Sequence, residues 1–442
     1  MSVGHIAAAL PLIAAVVAAR LPVRDNSYLW HVRAGSLQID LGRVLTEDPF
    51  SFTALGRSWR TQSWLADLAY GWGDHLWGLA IVTPIVTVGT VVLVAAIACR
   101  CYRAVRAPLM AAIATTWIMW LTIGYFTPRP VLFSLGLLAV FLLSADEPRL
   151  RWTLPLLMWV WSSVHGGFIV GIGYLVLDGL RRRDRQRLLD VAAVIVPTLL
   201  TAHGWGTWEV LIKFLGNGEA LDLIVEWLTP NLISFELFPF ALAIVALLVG
   251  AIRGRLVPPD LWVIVPFLLF AFTANRAVPL AALALAPWIV ADLGAWRITR
   301  APSTTRSQGV INGVLLASIF VLPWALPLEG GLDQDLFAVE AIRHLEPERA
   351  FHDDAVGGYL IYAEWPKRLV YIDDRAELYE DQFVDFVKAR NADPVWREVF
   401  ERFQIHQALL KKENPLTEVL LESGWSERFS DDEFVVLADQ ST

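Results

Sequence analysis

Apolar runs recur along this chain, separated by short polar stretches rich in arginine. They cover 4–21, 77–98, 108–126, 131–144, 152–164, 167–180, 188–203, 235–252, 260–275, 277–296 and 309–327. A helix needs about 20 apolar residues to cross a hydrocarbon core of about 30 Å. Most of the runs come near that length. The segments 131–144, 152–164, 167–180 and 260–275 are short and read as half-helices or hairpins that dip into the membrane. The pattern predicts an α-helical polytopic membrane protein with about 11 transmembrane helices. The first run, 4–21, lacks a positively charged leading region and reads as a retained helix rather than a cleaved signal.

Two regions break this rhythm. The first is the loop 22–66, far longer than a simple connection between two helices. Loops of such length in compact proteins are functional or disordered. Tyr28, Leu29, Trp30, Val32, Leu37, Ile39 and Leu41 give it a face to bury, so it reads as a folded outer segment that presents Asp25, His31 and Asp48 to a site. The second begins after Pro327. Apolar runs at 369–372, 408–410 and 434–437 read as strands, while 334–346, 380–390, 394–403 and 415–423 have helical spacing. The expected division is therefore a membrane domain, 1–327, and a C-terminal α/β extracytoplasmic domain, 328–442. Asp373, Asp374 and Arg375 end one of the expected strands, a position favoured for binding in α/β sheets.

Composition sharpens the division. The 442 residues are 56% hydrophobic and 18% charged, with 20 tryptophans and a mean hydropathy of +0.50. Residues 328–442 carry 26 acidic and 12 basic side chains, whereas residues 1–327 carry 18 and 24. The acidic C-terminal region argues against nucleic acid as a partner. Arginine in the loops sets the orientation. With the N-terminus inside, the loops 99–107, 145–151, 181–187, 253–259 and 297–308 hold fifteen arginines, against eight basic residues in the outer loops. Eleven crossings then place the C-terminal domain outside. Cys99 and Cys101 read as reduced thiols, since a metal site needs more ligands.

Further candidate chemistry lies on the outer side. Arg129 stands between Pro128 and Pro130, which pin its turn. His165 sits beside two glycines at membrane depth. Arg276 follows Asn275 in a very short outer turn, where a charge is costly unless paired. Trp30, Trp59 and Trp64 could stack on a sugar or serve as an interfacial belt. Glu209, Asp222 and Glu226 read as a solvated face.

The segments DNSYLWHVRAG (25–35), GRVLTEDPFSFT (42–53), GRSWRTQSWL (56–65), TPRPVLF (127–133) and SSVHGGF (162–168), with GGYLIY…RLVYIDDRAELY (357–379), resemble a group of bacterial membrane proteins similar to the GT-C class of integral membrane glycosyltransferases. The resemblance implies a multi-pass protein of the bacterial cytoplasmic membrane. It implies transfer of a sugar from a polyprenyl-phosphate-linked donor to an acceptor glycan, lipid or protein on the outer face. It assigns an acidic residue of the first outer loop as base, and Asp25 is the position that matches. Many members carry a second acidic residue beside it. Asn26 stands there in this chain, so a second carboxylate would have to come from Asp48. A polyprenyl phosphate is a fair leaving group. The reaction needs a carboxylate to take the acceptor's proton and fixed positive charge for the phosphate. Asp25 and Asp48 are the catalytic candidates, and His31, Arg129, His165, Arg276, Trp30 and Trp59 the substrate-binding ones. No cofactor is expected and no metal is predicted. A transporter or lipid flippase, or a non-catalytic scaffold with a GT-C-like fold, is the alternative.

Overall fold

The computed structural model describes residues 25–216, 225–291, 293, 337–379 and 381–439. The expected helices 4–21 and 309–327 lie outside the described residues. Each of the other nine apolar runs contains a helix among its described residues. In chain order the helices are α1 (Ser27–Leu41), α2 (Trp64–Trp77), α3 (Val82–Val105), α4 (Pro108–Trp120), α5 (Pro130–Asp146), α6 (Leu154–Val164), α7 (Phe168–Arg182), α8 (Arg185–Thr198), α9 (Gly206–Gly216), α10 (Phe238–Ile252), α11 (Leu261–Ala271) and α12 (Ala277–Ile289). Proline at the first turn opens α4, α5, α6 and α10, where its missing N–H costs nothing. The 42-residue helical run Trp64–Val105 is long and apolar enough to cross a membrane. Helices α6 and α11 have 11 residues each and α12 has 13, or about 17–20 Å of rise. They are helices as expected but fall short of a full crossing. A count of eleven spans does not follow from them.

The chain forms two compact units. Of the described residues, one holds 80–207, 225–291 and 293; the other holds 25–79, 208–216, 337–379 and 381–439. The first loop folds with the C-terminal region.

In the helical unit α5 is the central element. It packs against α3, α6, α7 and α12, and Leu132, Leu138, Ala139, Phe141 and Leu142 are fully buried. Small residues allow close approach. Ala281, Ala282 and Ala284 of α12 are fully buried, and a Cβ on Gly171 of α7 would lie 2.6 Å from the Trp161 ring. Trp161 donates its indole N–H to Ser134 Oγ at 2.7 Å, which satisfies both groups inside the apolar core. Other faces remain apolar and exposed. Leu248 is 58% and Leu269 65% exposed, as suits helices that face hydrocarbon rather than water.

The second unit contains a four-stranded sheet in the order β1 (Ala350–His352), β2 (Gln407–Lys411), β4 (Phe434–Ala438), β3 (Ser426–Ser430). Strands β1 and β2 are parallel; β4 is antiparallel to both β2 and β3. Helices α13 (Asp354–Glu364), α14 (Ala376–Tyr379), α15 (Asp381–Arg390), α16 (Val395–Phe403) and α17 (Pro415–Glu422) surround it. Two of the expected strands, β2 and β4, are present. Residues 369–372 instead form a single bridge, Val370 to Ser51. Phe52 N donates to Val370 O at 3.0 Å and Val370 N to Phe50 O at 2.9 Å, so the backbone there is paired by the first loop and not by the sheet. Strand β3 escapes an apolar search because its sequence is SERFS at a sheet edge. Of the expected helix 334–346, Ala341–His344 is one turn of 3₁₀ helix.

The first loop is bound to this domain by both backbone and rings. Phe50 meets Trp365 at 5.7 Å, and Phe52 meets Tyr371 at 5.9 Å and Phe403 at 6.1 Å. Helix α1 lies between α2 and α13. At the first contact Gly35 and Gly71 are required. A Cβ on Gly35 would lie 1.8 Å from Asp67 O, and one on Gly71 2.3 Å from Ser36 N.

Candidate active site

The loop and the C-terminal domain bring together residues more than 300 positions apart. Arg375 is fully buried and holds the junction. Its Nε and one terminal nitrogen donate to Asp373 at 2.7 and 2.6 Å, and its other terminal nitrogen donates to Asp48 Oδ1 at 2.8 Å. Burial alone would discharge Arg375. Asp373 and Asp48 outweigh that effect and raise its pKa well above the usual value. Burial likewise pushes Asp373 up, but the Arg375 guanidinium and the Tyr379 hydroxyl, 2.7 Å away, hold it below the usual carboxylate range. Phe50, Trp30 and Trp59 wall the guanidinium, the Trp59 ring lying 4.5 Å from its carbon.

Asp48, 1% exposed, is part of this network. Its oxygens accept from Phe50 N at 3.2 Å, from Ser51 N at 3.1 Å, from the Ser51 hydroxyl and from Arg375. Both oxygens of Asp48 are thus engaged by fixed donors, which fastens the loop to Arg375. Asp48, expected as a catalytic carboxylate, lies in this buried network. Trp30 and Trp59, expected as substrate-binding residues, are 8% and 5% exposed. Their faces are taken by Arg375 and, for Trp30, by the His31 ring 3.5 Å away. His31 is itself buried, with Nδ1 2.6 Å from Asp67 Oδ1, and Asp67 accepts from Thr61 through its other oxygen. It is a satisfied core histidine that ties α1 to α2.

Asp25 is different. It is half-buried, and its Oδ1 accepts from Ser27 N at 3.0 Å. The Ser27 hydroxyl donates to Asp374, and Trp30 Nε1 donates to the same carboxylate at 2.8 Å. Ser27 therefore joins two half-buried carboxylates, one from each end of the sequence. The second carboxylate beside Asp25 is Asp374. Between them in the chain, Asn26 Oδ1 is buried without a hydrogen-bond partner among the described residues, pressed against Gly358, where a Cβ would lie 2.6 Å from it. The run Asp373–Asp374–Arg375 is conspicuous in sequence, but nothing local to it tells which loop it meets.

The remaining candidates lie in the helical unit. Arg129 precedes α5 and reaches Glu226 at 3.3 Å. Arg276 precedes α12; its guanidinium lies 4.5 Å from the Trp227 ring centre. Asn275 N donates to Leu228 O at 2.9 Å and Arg276 N to Glu226 O at 3.1 Å. The segment 226–228 thus brings both arginines to one end of the unit. Glu226, expected as solvated face, is the acidic partner of Arg129. His165 caps α6 and accepts from Gly167 N at 3.0 Å through Nδ1. Among the described residues no cluster of three or more His, Cys, Asp or Glu could hold a metal ion.

The fold is GT-C-like. The structure is similar to that of the oligosaccharyltransferase of Archaeoglobus fulgidus in the apo form, with a TM-score of 0.56 and 11% identity over 92% of this chain and 69% of that one. It is also similar to ArnT from Cupriavidus metallidurans bound to undecaprenyl phosphate, with a TM-score of 0.51 and 13% identity over 98% of this chain and 97% of that one. At such identities the likeness is one of fold. No family model and no curated protein matches the sequence.

Proposed function

We propose that this protein is a membrane glycosyltransferase that moves a sugar from a polyprenyl-phosphate-linked donor to an acceptor at the outer face of the membrane. The observation that carries the reading is the likeness along nearly the whole of both chains to ArnT, a protein bound in its structure to undecaprenyl phosphate. The residues fit the chemistry. Asp25 is the general base that takes the acceptor hydroxyl's proton. Asp374 orients it through Ser27. Arg129 and Arg276 take the donor phosphate, for which the planar guanidinium fork is suited. Proton transfer to Asp25 and departure of the polyprenyl phosphate leave a new glycosidic bond and no need for a nucleotide fold. The acceptor belongs to the cell envelope and is a glycan, lipid or protein.

The test is release of polyprenyl phosphate from a labelled polyprenyl-phosphate sugar by the purified protein, with envelope extract as the acceptor source. Release that depends on the protein is expected, together with weaker donor binding in Arg276→Ala. Donor that stays intact with every sugar offered, and is bound equally by Arg276→Ala, would contradict the proposal.

A further inference from the structure

The helices that begin at Arg129 and Arg276 have a second charged end. The C-terminal ends of α3, α5, α7 and α12 converge on a cavity of about 560 Å³, lined by five arginines and only two carboxylates. Helix α5 alone places this cavity about 25 Å from Arg129, at 1.5 Å rise per residue over its 17 residues. The cavity is distinct from the candidate active site and independent of the function proposed above.

Its arginines fall into two groups. Arg181 and Arg182 are engaged: both donate to Asp178, Arg182 also approaches Asp146 at 3.7 Å, and Arg181 lies over the Trp288 ring at 5.4 Å. Arg100 is buried. It donates to Leu283 O at 2.6 Å and meets Asp146 at 3.5 Å, while its Nε has no partner among the described residues. Arg103 and Arg106 are exposed and have neither a carboxylate nor a carbonyl partner among the described residues. Arginine at the end of a helix ordinarily complements the dipole or grips the last carbonyls. Arg103 lies in the last turn of α3 and Arg106 is its C-cap, yet neither grips a carbonyl among the described residues, while Arg100, a turn earlier, takes the Leu283 carbonyl of α12, which Pro287 leaves without an N–H partner. Their neighbour Tyr102 is 52% exposed, and Leu180, beside Arg181, is 44% exposed. The cavity therefore offers positive charge beside apolar surface.

We infer that this cavity binds the phosphate of an anionic phospholipid. Basic pockets between membrane helices are suited to such head groups. Arg103 and Arg106 meet the phosphate, and the acyl chains lie along Tyr102 and Leu180. The arginine count assigns this end to the inner face, where anionic head groups would reach it.

The experiment is thermal unfolding of the full-length protein in neutral detergent, titrated with phosphatidylglycerol, with phosphatidylcholine or with inorganic phosphate. Phosphatidylglycerol is expected to raise the melting temperature and phosphatidylcholine is not. The double variant Arg103→Gln/Arg106→Gln should melt as the wild type does without lipid. Its apparent affinity for phosphatidylglycerol should fall roughly 30-fold, the worth of two arginines near an anionic surface. Equal shifts with both lipids, or a phosphatidylglycerol shift undiminished in the variant, would overturn the inference. A shift produced as well by inorganic phosphate would overturn the lipid as its source.

Discussion

Asp25 and Asp48 belong to one loop, yet their surroundings are opposite. Asp48 is buried and bonded to two backbone N–H groups, a serine and a guanidinium. Asp25 is half-buried at the start of α1, with a serine between it and Asp374. Asp48 fastens the loop to the C-terminal domain; Asp25 is the base of the proposed reaction. The contrast shows that a carboxylate's reactivity is set by how many fixed donors already hold it, and sequence alone does not display that.

The strongest way to break the contrast is to remove Arg375. Arg375→Ala would leave Asp48 and Asp373 buried without their cation and should cost about 3–5 kcal/mol, the usual penalty for half of a buried ion pair. Chemical denaturation followed by tryptophan fluorescence measures it. A loss below about 1 kcal/mol would remove the network from the account.

A smaller effect comes from acid. His352 is fully buried, accepts from Tyr371 N at 3.0 Å and so steadies the segment that leads to Asp373. Burial lowers its pKa to about 4. A histidine whose folded pKa lies below its unfolded value binds fewer protons when folded. Its contribution is whole above about pH 6.5 and is lost as the pH falls toward 4, to a total of roughly 3 kcal/mol. Asp373, with its depressed pKa, contributes above the ordinary carboxylate pKa and loses that contribution only at lower pH. The two windows are separable. His352→Gln should flatten the melting temperature between pH 6.5 and 4 while leaving the steeper fall below pH 4. An unchanged slope in the upper window would assign the acid sensitivity to other groups.

Much of the fold is legible in sequence because it rests on local periodicity. Nine apolar runs contain helices, and β2 and β4 stand where their apolar runs predict. What is not legible depends on pairing across the chain. The run 369–372 has a strand's composition but bonds to Phe50 and Phe52, so its partner lies over 300 residues away. Asp374 could be noticed as part of a charged run, but its meeting with Ser27 and Trp30 could not be derived from spacing. The burial of Trp30, Trp59 and His31 is no more legible. Their chemistry suits a binding site, but the approach of α1 and α2 at Gly35 and Gly71, and the arrival of Arg375, bury them.

The most direct measurement compares Asp25→Asn with Asp48→Asn in one preparation series, reading sugar transfer per folded molecule beside thermal stability. Asp25→Asn should lower transfer by about 10²–10⁴-fold, the usual worth of a general base, and cost no more than about 1 kcal/mol for the turn it supports. Asp48→Asn should cost about 1.5–3 kcal/mol, as for hydrogen bonds to a charged group, while the folded fraction keeps its rate within a few-fold. Near-normal transfer by Asp25→Asn, or collapse of transfer in fully folded Asp48→Asn, would contradict the account.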